Sequence, residues 1–299
     1  MRKLKIYNLA RKLLFLLPPE QSQNISHFFL KLFSGLYKSK QTRFSVKGLK
    51  IKNRLGLAAG LDKNARLINE FDNIGFGFVE VGTITPKAQY GNRKPRIKRL
   101  VSDESLLNSL GFPNEGVATI KPRLKKVRDD ICLGVNIGPN KDTVPEEIKN
   151  DYLTCYREIF EYADFVTINI SSPNTPNLRS LHNIDSFKSV IEVILNERKK
   201  HLIQPKIFIK ISPDEESNVY KDLIETVNDS AIDGIVISNT SNNQNLKESL
   251  KVAHLPGGIS GKSLKNSANE ILKEIKTIIN EEKIIVAVGG VFDVDSYNE

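Results

Sequence analysis

The sequence predicts an α/β fold: a (β/α)8 barrel of the TIM type that is preceded by an N-terminal helical arm. Short β-rich runs alternate with longer amphipathic stretches from residue 50 onward, which is typical of repeated βα units around a parallel sheet. The length of 299 residues accommodates one barrel domain of about 250 residues. The first 43 residues differ from the rest in charge and in hydrophobic pattern.

Residues 1–43 are predicted to form an amphipathic helical arm. They contain nine basic residues and one acidic residue, Glu20, so they hold +8 of the chain's net charge of +9. Pro18 and Pro19 separate two helical patterns, and the apolar run of the first, residues 13–17, is far shorter than the roughly 20 residues of a membrane span. The second pattern has one apolar stripe, which consists of Ile25, Phe28, Phe29, Leu32, Phe33 and Leu36.

This stripe has two interpretations. With lysines around it, it is typical of a helix that lies in the headgroup layer of a membrane. The same periodicity is typical of a helix that caps one end of the main domain. The concentration of basic charge in the arm favours the membrane, with an anionic surface as the partner.

Residues 44–299 are predicted to form the barrel, and no linker interrupts them. The predicted strands are Leu55–Ala59, Phe78–Gly82, Cys132–Asn136, Phe165–Ile170, Lys206–Ile211, Gly234–Ser238 and Ile284–Val288. Helices are predicted between them at residues 146–162, 184–200, 215–230 and 266–281.

Nearly every predicted strand has polar residues at its carboxyl end or directly after it, where barrels of this type carry their function. They are Asp62, Lys63, Asn64, Thr83, Asn136, Asn169, Ser171, Ser172, Asn174, Lys210, Ser238, Asn239 and Thr240. Each of them alone could be a turn residue that satisfies its own backbone. Together they predict a ring of amide and ammonium donors around the barrel mouth, suited to a flat, anionic, oxygen-rich ligand.

Two other classes of site are disfavoured. Cys132 and Cys155 have neither a metal-ligand nor a CxxC spacing, so we expect them to be buried thiols rather than metal ligands or a disulfide. A nucleic-acid interface would fit the basic arm, but the sequence contains no base-stacking or groove-reading motif.

Six segments, in order along the chain, resemble class 2 dihydroorotate dehydrogenases. They are residues 56–64, 80–86, 108–112, 169–176, 257–262 and 288–290. The stretch Asn-Ile-Ser-Ser-Pro-Asn-Thr-Pro at residues 169–176 is highly specific. The resemblance implies that the protein oxidises dihydroorotate to orotate in pyrimidine synthesis and passes the electrons through FMN to a membrane quinone.

The resemblance also implies the residues of the site. FMN contacts are implied at Ala59, Gly60, Lys63, Thr83, Asn136, Asn169, Lys210, Ser238, Gly261 and Gly290. Substrate contacts are implied at Lys63, Asn108, Ser109, Leu110, Gly111, Phe112, Asn169, Asn174, Asn239 and Thr240. Ser172 falls where the family keeps its catalytic base, and Lys63 is implied to stabilise negative charge near the flavin. The serine is typical of this class, because the cytosolic class with soluble acceptors has a cysteine base and lacks the arm.

For the arm, the resemblance implies two helices that form a hydrophobic tunnel for quinone. The candidates for the tunnel lining are Phe28, Phe29, Leu32 and Phe33, and Arg99 is the candidate for contact with the quinone head. The resemblance further implies peripheral attachment to the cytoplasmic face of a bacterial inner membrane, or to the mitochondrial inner membrane in a eukaryote.

Two features depart from the family. Gln23 stands where the arm motif Pro-Glu-x-x-His has its histidine. After Phe292, family proteins continue with a helix, an eighth strand, a phosphate-binding loop and a closing helix, so we expect strand 8 and the final helices to be missing from this chain. Two alternatives to the quinone enzyme therefore stay open: a dehydrogenase of the soluble-acceptor class, and a non-catalytic relic or scaffold that cannot hold FMN.

Overall fold

The computed structural model describes residues 2–37, 42–171 and 184–298. Its helices are α1 (Arg2–Phe15), α2 (Pro19–Phe33), α3 (Ile68–Asn73), α4 (Val117–Leu124), α5 (Ile148–Ile159), α6 (Ile184–Arg198), α7 (Ser217–Asn228), α8 (Gln244–Ser249), α9 (Lys265–Lys276) and α10 (Val294–Asn298). Its strands are β1 (Phe44–Val46), β2 (Leu49–Ile51), β3 (Gly56–Leu57), β4 (Phe78–Ile84), β5 (Ile97–Leu100), β6 (Ser105–Asn108), β7 (Leu133–Ile137), β8 (Phe165–Asn169), β9 (Lys206–Ile211), β10 (Gly234–Ile237), β11 (Gly258–Gly261) and β12 (Ile284–Ala287).

Seven parallel strands form one curled sheet in the order β12-β10-β9-β8-β7-β4-β3. Each of these strands overlaps one predicted strand, so the prediction of repeated βα units is confirmed. The four predicted helices correspond to α5, α6, α7 and α9. Within the described residues, β3 and β12 are the two edges of this sheet.

The outer face of the sheet packs against the helices. Val166 and Ile168 of β8 lie in one apolar cluster with Tyr152 and Tyr156 of α5 and with Phe187 of α6. All five side chains are buried. Because side chains alternate along a strand, the residues between and beside Val166 and Ile168 point to the interior of the curled sheet.

The interior is apolar at the amino-terminal ends of the strands. The rings of Phe78 and Phe165 are 6.2 Å apart between centroids, and those of Phe165 and Phe208 are 5.1 Å apart. The antiparallel hairpin of β1 and β2 covers this end, because Leu49 and Ile51 pack in the same cluster as the phenylalanines. Burial of these large rings stabilises the end of the barrel that is opposite to the predicted site.

The same face is polar at the carboxyl-terminal ends of the strands. On β8, Thr167 and Asn169 follow Phe165 at alternate positions, and Asn169 is paired in register with Lys210 of β9. The three polar side chains are buried. The interior therefore changes from aromatic to polar along the strands, which places the predicted ring of donors at the barrel mouth.

A three-stranded antiparallel sheet, in the order β11-β6-β5, also lies among the loops on the carboxyl side. The sequence does not predict this sheet as a unit. β5 and β6 form a local hairpin, but β11 comes from a distant segment, since Asn108 of β6 pairs with Gly258 of β11. The apolar side chains that it buries are Leu100, Leu107, Val252 and Ile259. This sheet holds the segment of predicted substrate contacts that begins at Asn108.

Candidate functional site

Two asparagines and a threonine meet at the carboxyl ends of β4, β7 and β8. Asn136 accepts at Oδ1 from the Thr83 hydroxyl (2.6 Å) and from Asn169 Nδ2 (3.1 Å). Asn169 Nδ2 also lies 3.1 Å from Thr83 Oγ1. All three side chains are buried. Three residues that the resemblance assigns to the cofactor are therefore joined in one hydrogen-bonded group.

Asn239 extends this group to the end of β10. Its Nδ2 donates to Asn169 Oδ1 (3.3 Å) and to the Ser171 hydroxyl oxygen (3.1 Å), and its Oδ1 accepts from the Thr240 N–H (2.8 Å). Tyr152, on α5, donates to the Asn169 carbonyl (2.7 Å) and so holds the end of β8. The predicted substrate residues Asn169, Asn239 and Thr240 are thus adjacent.

Lys210 and Ser238 continue the row of polar strand ends. Lys210 lies on β9 beside Asn169, and Ser238 directly follows β10. The Ser238 hydroxyl donates to the Asn239 carbonyl (3.1 Å). Both side chains are buried, and a buried lysine at the level of the amides makes this part of the site rich in hydrogen-bond donors.

The loop after β3 lies against β4. The Gly60 N–H donates to the Gly82 carbonyl (2.9 Å), and the Ala59 N–H donates to the Glu80 carboxylate (3.3 Å). The Lys63 side chain folds back, so that its Nζ donates to the Gly60 carbonyl. Three predicted cofactor residues are therefore held at the same edge of the mouth.

Lys63 has an unusual electrostatic environment. Burial is the main cause that lowers its pKa, to about 8; the positive charge of Arg96 lowers the pKa further, while Glu20 and Asp62 raise it in part. Both protonation states of this side chain are therefore populated near pH 8. An anion bound beside Lys63 would stabilise the charged form.

The segment 108–112 is folded onto the mouth. Gly111 and Phe112 have φ values of 67° and 49°, so the chain turns sharply after β6. A Cβ built on Gly138 would lie 3.1 Å from the Phe112 ring and 2.8 Å from Thr83 Cγ2. The Phe112 ring and Thr83 are therefore close neighbours across Gly138.

The start of this segment is held by its backbone. The Ser109 N–H donates to the Arg96 carbonyl (2.8 Å), and the Leu110 carbonyl accepts from the Asn92 N–H (2.9 Å). The Asn108 side chain contacts the Gly258 carbonyl at 3.4 Å. These bonds leave the segment with a defined position, as a set of substrate contacts requires.

Gly261 and Gly290 lie close to the start of α9. Their φ values are 96° and 72°, which glycine adopts without strain. A Cβ on Gly290 would lie 2.5 Å from Cβ and 3.0 Å from the backbone N of Lys265, the first residue of α9. A glycine backbone at a helix amino terminus is the type of surface that binds phosphate in barrels of this kind.

Ser172 and Asn174 lie outside the described residues. The residue before them, Ser171, is buried and contacts Asn169 and Asn239. The roles of Ser172 as base and of Asn174 as a substrate contact stay predictions.

Two arginines hold the arm on the barrel. Arg96 forms a bidentate ion pair with Glu20, with both N–O distances 3.1 Å. Arg99 donates to the Leu17 carbonyl (2.8 Å) and to the Ser22 hydroxyl oxygen (2.7 Å). Arg99 thus binds the connection between α1 and α2, and its contact with a quinone head stays a prediction.

The inward face of α2 lies over the loop after β3. Gln23 Nε2 donates to the Leu61 carbonyl (3.1 Å). One turn later, the His27 ring packs edge-on against Phe71 at a centroid distance of 6.5 Å, and burial lowers the pKa of His27. The glutamine that replaces the family's histidine therefore joins the arm to the loop that carries Lys63.

The apolar stripe of α2 is largely exposed to solvent. Phe28, Phe29, Leu32 and Phe33 are 45% to 65% exposed, whereas Leu30 packs against the main core. The interpretation of this stripe as a cap on the domain is therefore wrong, because a capping helix would bury it. In the described part of the chain, no helix combines the length and apolar character needed to cross a bilayer.

The predictions from sequence missed two residues near the site, Glu80 and Arg96. Glu80 is 3% exposed and accepts from Asn136 Nδ2 (2.9 Å) and from the Ala59 N–H. A carboxylate inside the otherwise apolar β4 is a sequence signal that could have identified it. Arg96 gives no comparable signal, because it is one of several basic residues in 93–99.

Comparisons with known proteins agree with this geometry. A family model described as Dihydroorotate dehydrogenase matches residues 42–297. The dihydroorotate dehydrogenase (quinone) of Aliivibrio salmonicida is 37% identical over 304 residues, which cover 98% of this chain and 89% of the relative. The protein of the same name from Pseudoalteromonas translucida is 38% identical, with coverages of 98% and 90%.

A solved structure gives the same result for the fold. The crystal structure of DHODH in complex with ferulenol from Eimeria tenella superposes with a TM-score of 0.84 at 32% identity, and the match covers 93% of this chain and 82% of that chain. The similarity therefore extends over nearly all of the sequence and of the fold. The chain belongs to the dihydroorotate dehydrogenase family.

Proposed function

We propose that this chain oxidises dihydroorotate to orotate, with FMN as its resident cofactor and a membrane quinone as the final electron acceptor. The observation that carries the proposal is the row of hydrogen-bonded amides at the barrel mouth, formed by the buried Asn136 and Asn169 and the partly buried Asn239. Amide groups present both donors and acceptors, which match the edges of a flavin ring and of a dihydropyrimidine.

The residues present fit FMN. Polar groups that suit its ring system come from the loop after β3 and from the strand ends, at Ala59, Gly60, Lys63, Thr83, Asn136, Asn169, Lys210 and Ser238, and most of these groups are held together by hydrogen bonds among themselves and to Glu80 and Gly82. Gly261 and Gly290, beside the start of α9, suit the phosphate. When bound, FMN supplies the two-electron acceptor.

The substrate residues then have separate tasks. Asn108, Asn169, Asn174, Asn239 and Thr240 orient the amides of the dihydroorotate ring, and residues 109–112 close over it. Lys63 offers a positive charge to the substrate carboxylate and stabilises negative charge at the site. Fixed orientation of two stacked rings is the main contribution that a protein makes to this kind of reaction.

Formation of the carbon–carbon double bond requires that C5 of dihydroorotate lose a proton while C6 gives up a hydrogen with its electron pair. We assign the removal of the C5 proton to Ser172. A serine hydroxyl is a weak base, so it must pass its own proton on as it accepts the new one. A water molecule or a neighbouring hydroxyl would complete this relay.

We assign the binding of quinone and the attachment to the membrane to the arm. The exposed stripe of Phe28, Phe29, Leu32 and Phe33 suits both the acyl region of a bilayer and the apolar tail of a quinone. We propose that the protein is attached peripherally to an anionic surface, the cytoplasmic face of a bacterial inner membrane or the mitochondrial inner membrane in a eukaryote.

The test uses the chain purified in mild detergent. We expect it to stay yellow after desalting, to be bleached by dihydroorotate without oxygen, and to recover its colour when a short-chain quinone is added. A protein that stays colourless after incubation with FMN would support the non-catalytic alternative. Bleaching that is reversed by fumarate or NAD but not by quinone would support the soluble-acceptor class.

Lys63 predicts a pH dependence of product binding. Because its pKa is lowered to about 8, the neutral form dominates above this pH, and the affinity for anionic orotate should fall by up to about tenfold per pH unit. Lys63→Arg keeps its charge over the same range, so its affinity should change much less. Titrations of orotate between pH 7 and 10, followed by flavin absorbance, measure this. An equal decline in both proteins contradicts the assignment.

A further inference from the structure

Glu80 is a buried carboxylate, and its two hydrogen-bond partners among the described residues are both N–H groups. Its Oε1 accepts from Asn136 Nδ2 (2.9 Å), and its Oε2 accepts from the Ala59 N–H (3.3 Å). Glu80 forms no ion pair within the described ranges, and its side chain is 3% exposed. Burial of a carboxylate is costly unless hydrogen bonds compensate it. Both partners belong to groups that we assign to FMN.

The direction of these bonds fixes the orientation of the side-chain amides of Asn136, Asn169 and Asn239, which are hydrogen-bonded in that order. A carboxylate only accepts, so Asn136 must turn its Nδ2 toward Glu80. Its Oδ1 then faces Thr83 and Asn169, at 2.6 and 3.1 Å. Asn169 must in turn present its Nδ2 to Asn136, which leaves its own Oδ1 facing away from β7.

The same direction continues to the substrate residues. Asn169 Oδ1 accepts from Asn239 Nδ2 (3.3 Å) and from the Ser171 N–H (3.3 Å). Asn239 Oδ1 is thereby left to accept from the Thr240 N–H (2.8 Å). A reversed amide anywhere in this chain would place a donor against a donor, which costs the full desolvation of an unpaired group.

We propose that Glu80 is a positioning residue that sets the amide direction of Asn136, Asn169 and Asn239, and so decides which edges of the site donate and which accept. It acts through these asparagines and does not touch the substrate. The inference rests on the proposed function, since orotate and FMN are the ligands. The donors and acceptors of Asn136, Asn169 and Asn239 must match those of these two ligands.

The first test compares two single variants with their combination in the 299-residue chain. In Glu80→Gln, one of the two N–H partners meets an N–H group; in Asn136→Asp, two carboxylates face each other. Each should weaken orotate binding to the FMN-loaded protein at least tenfold. In the double variant, the new amide donates to the new carboxylate, whose other oxygen accepts from Thr83 and Asn169, so affinity should return to within threefold of wild type.

The second test needs no ligand. The side-chain amide signals of Asn169 and Asn239, observed by NMR in protein labelled at asparagine, should shift in Glu80→Gln and return in the double variant. Glu248→Gln, on the exposed side of α8, is the matched control and should leave these signals and orotate affinity unchanged. Thermal unfolding of every variant separates loss of stability from loss of affinity.

Three results would overturn the role of Glu80. One is wild-type orotate affinity in folded Glu80→Gln, which would leave Glu80 with a structural role only. Another is failure of the folded double variant to recover orotate affinity. This result would mean that binding depends on a negative charge at position 80 and not on the direction of the amide hydrogen bonds. The third is unchanged amide signals. If the wild-type protein itself binds no orotate, the proposed function fails, and the NMR comparison still tests Glu80.

Discussion

Replacing Ser172 with alanine is expected to slow the reduction of bound flavin by dihydroorotate by about 10²- to 10⁴-fold, the usual contribution of a positioned base. The flavin should stay bound, because the groups that we assign to FMN, such as Lys210 and Asn136, are unchanged. Anaerobic stopped-flow measurement of flavin absorbance gives the rate directly. Ser172→Cys should recover part of it, since a thiol is a better base at neutral pH.

The control for this variant is Ser102→Ala, at an exposed turn between β5 and β6. It tests whether loss of a serine hydroxyl elsewhere changes the rate, and we expect no change. Near-normal flavin reduction in Ser172→Ala would refute its role as base. A colourless Ser172→Ala protein would refute the expectation that Ser172 acts as the base without contributing to FMN binding.

Substitution of Phe28, Phe29, Leu32 and Phe33 by serine should abolish vesicle binding and turnover with a long-chain quinone. Complete burial of such side chains contributes about 1.5–3 kcal/mol each. Since these four are about half exposed, membrane insertion would add roughly 3 to 6 kcal/mol in total, which corresponds to more than a hundredfold in binding. Reduction of flavin by dihydroorotate should be unaffected, because none of these four residues is among those that we assign to FMN or to dihydroorotate.

A matched control replaces two other exposed apolar residues, Leu202 and Ile203, by serine. They lie between α6 and β9, at the amino-terminal ends of the strands and thus far from the arm. Sedimentation with vesicles that contain anionic lipid, together with quinone-dependent turnover, compares the two variants. Equal effects of both variants, or full quinone activity without the stripe, would exclude the arm as the site of quinone entry.

The barrel strands could be predicted from the sequence because their signal is local. A strand that is buried on both faces is a nearly continuous apolar run, and β10 is observed over Gly234–Ile237, within the predicted strand Gly234–Ser238. The polar residue after such a run marks the barrel mouth, which is why Asn136 and Asn169 could be placed there. The helices α5, α6, α7 and α9 have the same kind of local, periodic signal.

The small sheet of β5, β6 and β11 has no such signal. The contact of Asn108 with Gly258 joins residues 150 positions apart, and neither segment alternates clearly. The bonds of Arg96 and Arg99 to the arm also join distant parts of the chain, since they connect residues 96–99 to residues 17–22. Pairings of this kind depend on chain topology and cannot be derived from local composition.

The sequence by itself determined the βα repeat, the polar strand ends and the existence of an apolar stripe on α2, because each is a pattern within a few neighbouring residues. Only the tertiary structure decided that the stripe is exposed, that Gln23 binds the Leu61 carbonyl, and that Glu80 accepts from Asn136, which in turn accepts from Asn169. The physical reason is that exposure and hydrogen-bond direction depend on which groups from distant parts of the chain meet.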